Sequence, residues 1–398
     1  MSFTVNFYSG IKWIVSFVNE SCKVICMKKI AIYIRAKDVS PSGYYRILQY
    51  TDRLEGRFYV HNILPPRYYK WYLKKKHIFC ILLLLNIITF MLMYVRCSFF
   101  LLSDYLKGMD VVVISRGLLP RYFLFPISFC LKKLRSSVEK LIWDFDDDIL
   151  LSGEVSKSEY GFLCKNSDFI FVTHNYLAGK IDCIYRNKVI IMPTTDSDFL
   201  HLNLTSMLEL RKETFKKELR LVWTGSAVNL IHLNTIIPVF DACAKIYIER
   251  YNRQIVLNVC SSEPLVCSTE CLIVNNVMWS RQVAVQLIES SHIGIMPLLP
   301  SQYSLGKGGF KLIQYMAAGL PIIGSNVGYN RSIIKENFGF LIDKIVEQTE
   351  WMKALALFGD DFDVYRSAAM SSLEQWKKFF HARTNLEIWS KSINSGIK

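Results

Sequence analysis

The chain has 398 residues, 51% hydrophobic and 14% aromatic, which excludes a disordered chain and leaves room for two domains, each with its own core. A formal charge of +14 points to anionic partners, a phosphorylated ligand or an acidic membrane face. Nucleic acid is disfavoured, since no zinc-finger, RNP-type or basic-helix pattern accompanies the charge.

Taken in chain order, residues 1–26 precede "MKKIAIYI", a short basic lead into a buried strand that reads like a natural start. Lys12 stands alone before a weak apolar run and no A-x-A-like site follows, so these residues read as a dispensable extension rather than a signal peptide. A strand is expected at "KIAIYIRA" (29–36). Ser40, Ser42, Gly43 and Arg46 come next, as a turn and helix N-cap or as the lining of a ligand cleft. Farther on, "RYYKWYLKKKH" leads into Ile78–Val95, eighteen residues without a charge, the lower limit for a membrane-spanning helix. Strand signals resume directly at "MDVVVISRG", so the expectation is a helix of an α/β domain that attaches peripherally to an anionic membrane.

Near-continuous apolar runs at 110–116, 140–146, 168–174 and 188–194 read as buried parallel strands. A polar stretch with a charge-rich helix follows, and the rhythm restarts at 219–226, 254–262, 270–276, 292–299 and 320–327. Two strand–helix series predict an α/β protein of two Rossmann-like domains, 27–205 and 206–398. The eleven cysteines are scattered with no CxxC pair, which reads as reduced thiols of a cytoplasmic protein rather than a disulfide framework or a zinc site.

Ligands of open α/β sheets bind at the carboxyl ends of the strands, which selects 36–46, 144–148, 225–229, 297–311 and 325–330. The fourth contains "LGKGGFKLIQYMAAGLP". A helix is expected from Phe310 to the C′ residue Gly319, with Leu312, Ile313, Met316 and Ala317 buried and Lys307, Lys311 and Gln314 on another stripe. Gly306, Gly308 and Gly309 leave backbone N–H groups approachable at the positive end of the helix dipole, and the two lysines add full charges: an anion site. Neither a Walker A loop nor GxGxxG occurs, so P-loop kinases and NAD-dependent oxidoreductases lose ground. Gly225 and Ser226 allow backbone to approach a diphosphate or make a plain β–α turn. Asp144, Asp146 and Asp147 are a solvated acidic turn or a cleft group. Trp279 edges a nucleobase or joins the core, and none of the seven histidines forms a metal pair, so His174 and His292 read as structural.

"GKGGFKLIQYMAAGLPIIGSNVGYNRSII" resembles the donor-binding motif of retaining GT-B glycosyltransferases of family 4, and "LVWTGS", "SSHIGIMPL", "PSGYYRILQY" and "IWDFDDDIL" look like other blocks of that family, in order over most of 27–345. The resemblance implies two Rossmann-like domains facing across a cleft. It also implies a retaining, metal-independent hexosyltransferase, with a nucleoside diphosphate-sugar as co-substrate and no other cofactor. Lys307 and Lys311 would then neutralise the leaving diphosphate. Gly225, Ser226, Gly308, Gly309, Gln314 and Trp279 would bind donor, with Ser42, Gly43, Arg46 and Asp147 lining the acceptor cleft. Asp144 or Asp146 would orient or deprotonate the acceptor hydroxyl, although the leaving phosphate is often assigned that work. The family's two glutamates, the first on sugar hydroxyls and the second on ribose, are replaced by Gly306 and Gln314. Gln314 still forms hydrogen bonds; Gly306 cannot replace a carboxylate, so sugar contacts must come from the Ser325–Asn330 loop or Lys307. The implied acceptor is a bacterial-type surface glycan, such as capsule or O-antigen, or its lipid-linked precursor. Rivals are a GT-B epimerase or phosphorylase, a non-catalytic nucleotide-sugar-binding partner and a membrane-embedded transporter.

Overall fold

The structure, a computed structural model, describes residues 27–37, 39–75 and 79–395. The segment 1–26 and the start of the apolar run, Lys76 to Ile78, lie outside them.

Six strands form the first sheet: β1 Lys29–Ile34, β2 Arg57–Asn62, β3 Val111–Ser115, β4 Lys140–Phe145, β5 Phe169–Val172 and β6 Val189–Ile191, in the order β2-β1-β3-β4-β5-β6. The pairs β1–β2, β1–β3 and β3–β4 are parallel, and β3 and β4 are buried along their whole length. That is why they stand out as unbroken apolar runs: a parallel strand with both faces covered has no solvent side on which to place polar residues. The second sheet holds β7 Glu218–Thr224, β8 Gln254–Ser261, β9 Ile273–Met278, β10 Ile293–Met296, β11 Ile322–Ser325 and β12 Gly339–Ile342, ordered β12-β11-β10-β7-β8-β9 and parallel throughout. Counted within this sheet the order is 3-2-1-4-5-6, the Rossmann arrangement, and its direction of winding reverses between β7 and β10.

Chain contacts divide the molecule into two compact units. One comprises the described residues to Asp144, Gly153–Phe171 and the described residues from Ile388 on; the other comprises Phe145–Ser152 and Val172–Glu387. The acidic loop after β4 thus belongs to the second unit.

In the first unit the helix Phe79–Lys107 buries Leu85, Thr89, Met93, Cys97, Leu101 and Asp104, one stripe at i, i+4 and i+3 spacing. Tyr33 of β1 donates to Asp104 Oδ2 at 2.6 Å and His61 Nε2 lies 2.8 Å from the same oxygen, while Asp104 Oδ1 has no hydrogen-bond partner among the described residues. A second stripe, Leu84, Ile88, Met91, Val95, Phe99, Leu102 and Leu106, is equally apolar and is exposed, from 45% at Ile88 to 74% at Leu106. Among the described residues this is the one helix long and apolar enough to cross a membrane, and only 22% of its apolar window is buried.

In the second unit the helix Phe310–Ala317 buries Leu312, Ile313, Met316 and Ala317, as expected, and Gly319 at φ +61° ends it. Its carboxyl end is clamped by Arg211, whose guanidinium donates to Ala318 O at 3.0 Å and Gly319 O at 3.1 Å. A cation there satisfies two orphan carbonyls and opposes the negative end of the helix dipole. Tyr315 of the same helix accepts the N–H of Thr224 at 3.0 Å, which ties it to the end of β7. The helix is therefore fixed at its far end and its middle, with its amino terminus at the β7/β10 reversal.

Candidate functional site

The segment after β10 runs through a short helix, Gln302–Leu305, which Ser301 caps by accepting Ser304 N–H at 3.0 Å. Lys307 follows. Its Nζ donates to Tyr303 Oη at 2.9 Å, lies 4.1 Å from the centre of that ring and is 3.6 Å from Asp147 Oδ2. Both partners of the ion pair are largely enclosed, with side-chain exposures of 12% and 17%. Lys311, in the first turn of the helix Phe310–Ala317, lies 5.4 Å from the ring centre of the buried Trp223. Burial first, and the Lys307 charge second, push its pKa down to about 8. A Cβ at Gly225 would sit 2.7 Å from Trp223 and 2.9 Å from Lys311 Cε, so only glycine lets the turn after β7 close over this lysine. The N–H groups of Gly308 and Gly309, at the head of the helix, donate to no protein acceptor among the described residues.

Two histidines belong to the same neighbourhood. His232 accepts Leu299 N–H on Nδ1 at 3.1 Å; burial and the two lysine charges push its pKa down to about 4, so it is neutral with its proton on Nε2. His174 is stacked 4.7 Å from Tyr329, with Nε2 3.4 Å from Gly306 O, and burial holds its pKa at about 4. The site therefore presents two cations, one carboxylate paired to one of them, neutral imidazoles and open backbone donors at a helix amino terminus.

The Asp146–Asp148 loop lies directly on the lysine loop. A Cβ on Gly306 would be 2.9 Å from Asp148 Cβ, and one on Gly308 would be 3.0 Å from Asp146 O. Asp148 is buried, accepting Leu151 N–H at 3.1 Å and lying 3.6 Å from Lys180. Asp146, half-buried, accepts Thr173 Oγ1–H on its carbonyl.

Other expected site residues are placed differently. Asp144 and Arg46, expected to line a cleft, are both fully buried and paired, Nη2 to Oδ1 at 2.6 Å with Nε 2.9 Å from each carboxylate oxygen. This corrects the reading of Asp144 as catalytic and Arg46 as a cleft residue, because neither charge reaches solvent. Ser42 and Gly43 are buried in the helix Pro41–Arg46, where Gly43 packs on Ile34. Gln314 is buried and donates Nε2–H to Asp196 Oδ2 at 2.7 Å; burial pushes Asp196 up to about 7. Ser226 is exposed and accepts from Asn229 at 2.8 Å. Trp279 is half-buried just past β9, its N–H donated to Ser261 O at 2.9 Å. In the Ser325–Asn330 loop both end residues are turned inward, Ser325 accepting Leu298 N–H at 2.8 Å and Asn330 donating to Ser325 O at 3.1 Å.

Sequence reasoning passed over His232, Tyr303 and Asp196. His232 lies three residues beyond the strand-end window, and Tyr303 lies four residues before Lys307 inside one of those windows. Asp196 carried no signal, since only the fold brings it to Gln314.

Residues 259–367 match the model of the family described as "Glycosyl transferases group 1", a span that holds Lys307, Lys311 and Gln314. The likeness to that family thus lies in the part of the chain that carries the lysine loop. No curated protein matches the chain. Among solved structures, Anabaena Alr3699/HepE in complex with UDP and glucose is similar at a TM-score of 0.63 and 11% identity, over 93% of this chain and 100% of that one. The UDP-forming α,α-trehalose-phosphate synthase from Burkholderia xenovorans, in complex with glucose-6-phosphate, gives 0.59 at 11% identity, over 92% and 100%. A glycosyltransferase from Rickettsia africae ESF-5 gives 0.57 at 11%, over 93% and 100%. At such identities the likeness establishes the fold, which is GT-B, with the lysine loop inside the span that matches the group 1 model.

Proposed function

We propose that the chain is a glycosyltransferase that moves a hexose from a nucleoside diphosphate-sugar to a glycan or lipid-linked acceptor, with retention and without a bound metal or cofactor, in surface polysaccharide biosynthesis. The observation that carries this reading is the cation pair at an open helix amino terminus, set at the β7/β10 reversal, with both lysines inside the span that matches the group 1 model. In the transfer the C1–O bond to the diphosphate breaks, the acceptor oxygen bonds C1 on the same face, and the hydroxyl proton passes to the departing phosphate. The leaving group gains charge as the bond breaks, so fixed donors in a poorly hydrated site lower the barrier. Lys311 and the Gly308 and Gly309 amides are suited to that work.

Thermal stabilisation by UDP, GDP, UDP-glucose and GDP-mannose tests the reading. One base and its sugar nucleotide should stabilise the protein selectively, by about 2.7 kcal/mol at a hundred times Kd; no shift with any of the four sinks it. UDP is the first choice of probe because the similar Anabaena structures are complexes with UDP and UDP-glucose. A second reading, a non-catalytic nucleotide-sugar-binding partner, is favoured by Gly306 alone; tight donor binding with no transfer across an acceptor panel would establish it.

The same proposal places the enzyme peripherally on the inner face of the plasma membrane. The exposed stripe from Leu84 to Leu106 and the exposed Arg67, Lys70, Lys74 and Lys75 support this. The protein should co-sediment with phosphatidylglycerol vesicles and little with phosphatidylcholine. Ile88→Glu combined with Val95→Glu should weaken that binding by about tenfold or more, given about 1.5–3 kcal/mol per buried aliphatic side chain. A dimer through the stripe, with no vesicle binding, would refute it.

A further inference from the structure

We propose that Lys307 and Asp147 together form a hydroxyl-binding subsite that reads the sugar of the donor, while Lys311 and the amides at the head of its helix take the diphosphate. This deepens, and rests on, the nucleotide-sugar reading above.

The two lysines are not equivalent. The Lys307 ammonium faces Asp147 Oδ2 at 3.6 Å and donates to Tyr303 Oη at 2.9 Å, so its charge is already balanced within the site. Lys311 lies over Trp223 and makes no ion pair among the described residues. A phosphate seated on Lys307 would bring its oxygens against the Asp147 carboxylate, and like charges repel strongly where water is scarce. An anion therefore goes to Lys311, which makes no ion pair among the described residues, feels Asp147 less than it feels burial and the Lys307 charge, and stands beside open backbone donors.

A balanced acid–base pair suits a different ligand. Sugar hydroxyls are neutral, and each both donates and accepts. A carboxylate and an ammonium at fixed spacing accept from one hydroxyl and donate to its neighbour through charge-assisted hydrogen bonds, with no change in net charge. The backbone holds Asp147 in position for this. The space a side chain at Gly306 would need is filled by Asp148, 2.9 Å from the added Cβ, and Gly308 abuts the Asp146 carbonyl. Since the lysine loop has no room for an acid of its own at 306, the acidic loop docked on it supplies one.

Calorimetric titration tests the division, with wild type, Asp147→Asn, Lys307→Gln and Lys311→Ala each given the preferred nucleoside diphosphate and its tightest sugar nucleotide. Asp147→Asn and Lys307→Gln should weaken the sugar nucleotide by about 10- to 100-fold, the loss expected when a hydrogen bond to a charged group goes. Affinity for the bare diphosphate should stay within about threefold, because the charged phosphate contacts remain. Lys311→Ala should weaken both. If Lys307→Gln weakens both ligands equally, Lys307 is a phosphate cation and the subsite is refuted. It is refuted also if Asp147→Asn, an isosteric change, leaves the sugar nucleotide unaffected. A wild type that binds no nucleotide overturns the nucleotide-sugar reading itself, and the subsite with it.

Discussion

On the proposed function, replacing Lys311 by alanine should lower turnover by about 100- to 1,000-fold, the range for loss of one fixed donor to a developing oxyanion. The fold should survive the change. Lys311 is desolvated and repelled by Lys307, which lowers its pKa from 10.5 to about 8. The unfolded chain therefore holds this proton more tightly than the folded one, and folding stability rises with pH between about 8 and 10.5. Below that window the charged lysine costs stability, so in the absence of ligand the melting temperature of Lys311→Ala holds or rises. A site that carries strain for the sake of its ligand behaves in this way. The ligand shows the opposite dependence. Only the ammonium attracts a diphosphate, so on the proposed function donor affinity should decline as pH rises through about 8, and Lys311→Ala should remove that decline. Steady-state kinetics and a pH series of diphosphate affinity check both statements. Unchanged turnover in the variant would show that this helix terminus is not the reacting site.

The second large effect concerns folding. Asp144→Ala or Arg46→Leu leaves one full charge in the interior of the first unit, without the partner that now meets it at 2.6 Å. Breaking a buried pair on one side costs about 3–5 kcal/mol, since the remaining ion keeps its desolvation penalty and loses its compensation. Replacing both residues by apolar ones of similar volume should cost much less than the sum of the two single changes. Urea denaturation of the four proteins measures this. A single-variant loss below about 1 kcal/mol, the value for exposed pairs, would mean that water reaches the pair.

How far the sequence reads ahead of the structure depends on which face of an element is covered. β3, β4, β7 and β8 were legible as apolar runs because both of their faces are packed. β2, "RFYVHN", and β12, "GFLI", escaped notice. Each lies at the edge of its sheet and is only partly buried, so neither shows an unbroken run. The helix Phe310–Ala317 was legible at both ends, since glycine marks its termini and proline follows. The second stripe of Phe79–Lys107 was visible as apolar composition, but not as an exposed face, because hydrophobicity records no direction.

At the site the same limit applies to charge. Sequence alone determined that two lysines four residues apart flank a pair of glycines at a helix amino terminus, because that arrangement lies within one segment. It also determined that no side chain is present at 306 to accept a sugar hydroxyl. Only the tertiary structure decided which charge meets which. Asp144, two residues before Asp146, is drawn inward to Arg46, while Asp147 reaches Lys307 across 160 residues of chain. Asp144 belongs to the buried strand β4 and Asp147 to the bend after it, and their partners come from segments distant in sequence. Spacing therefore identified the cations, and packing assigned the carboxylates.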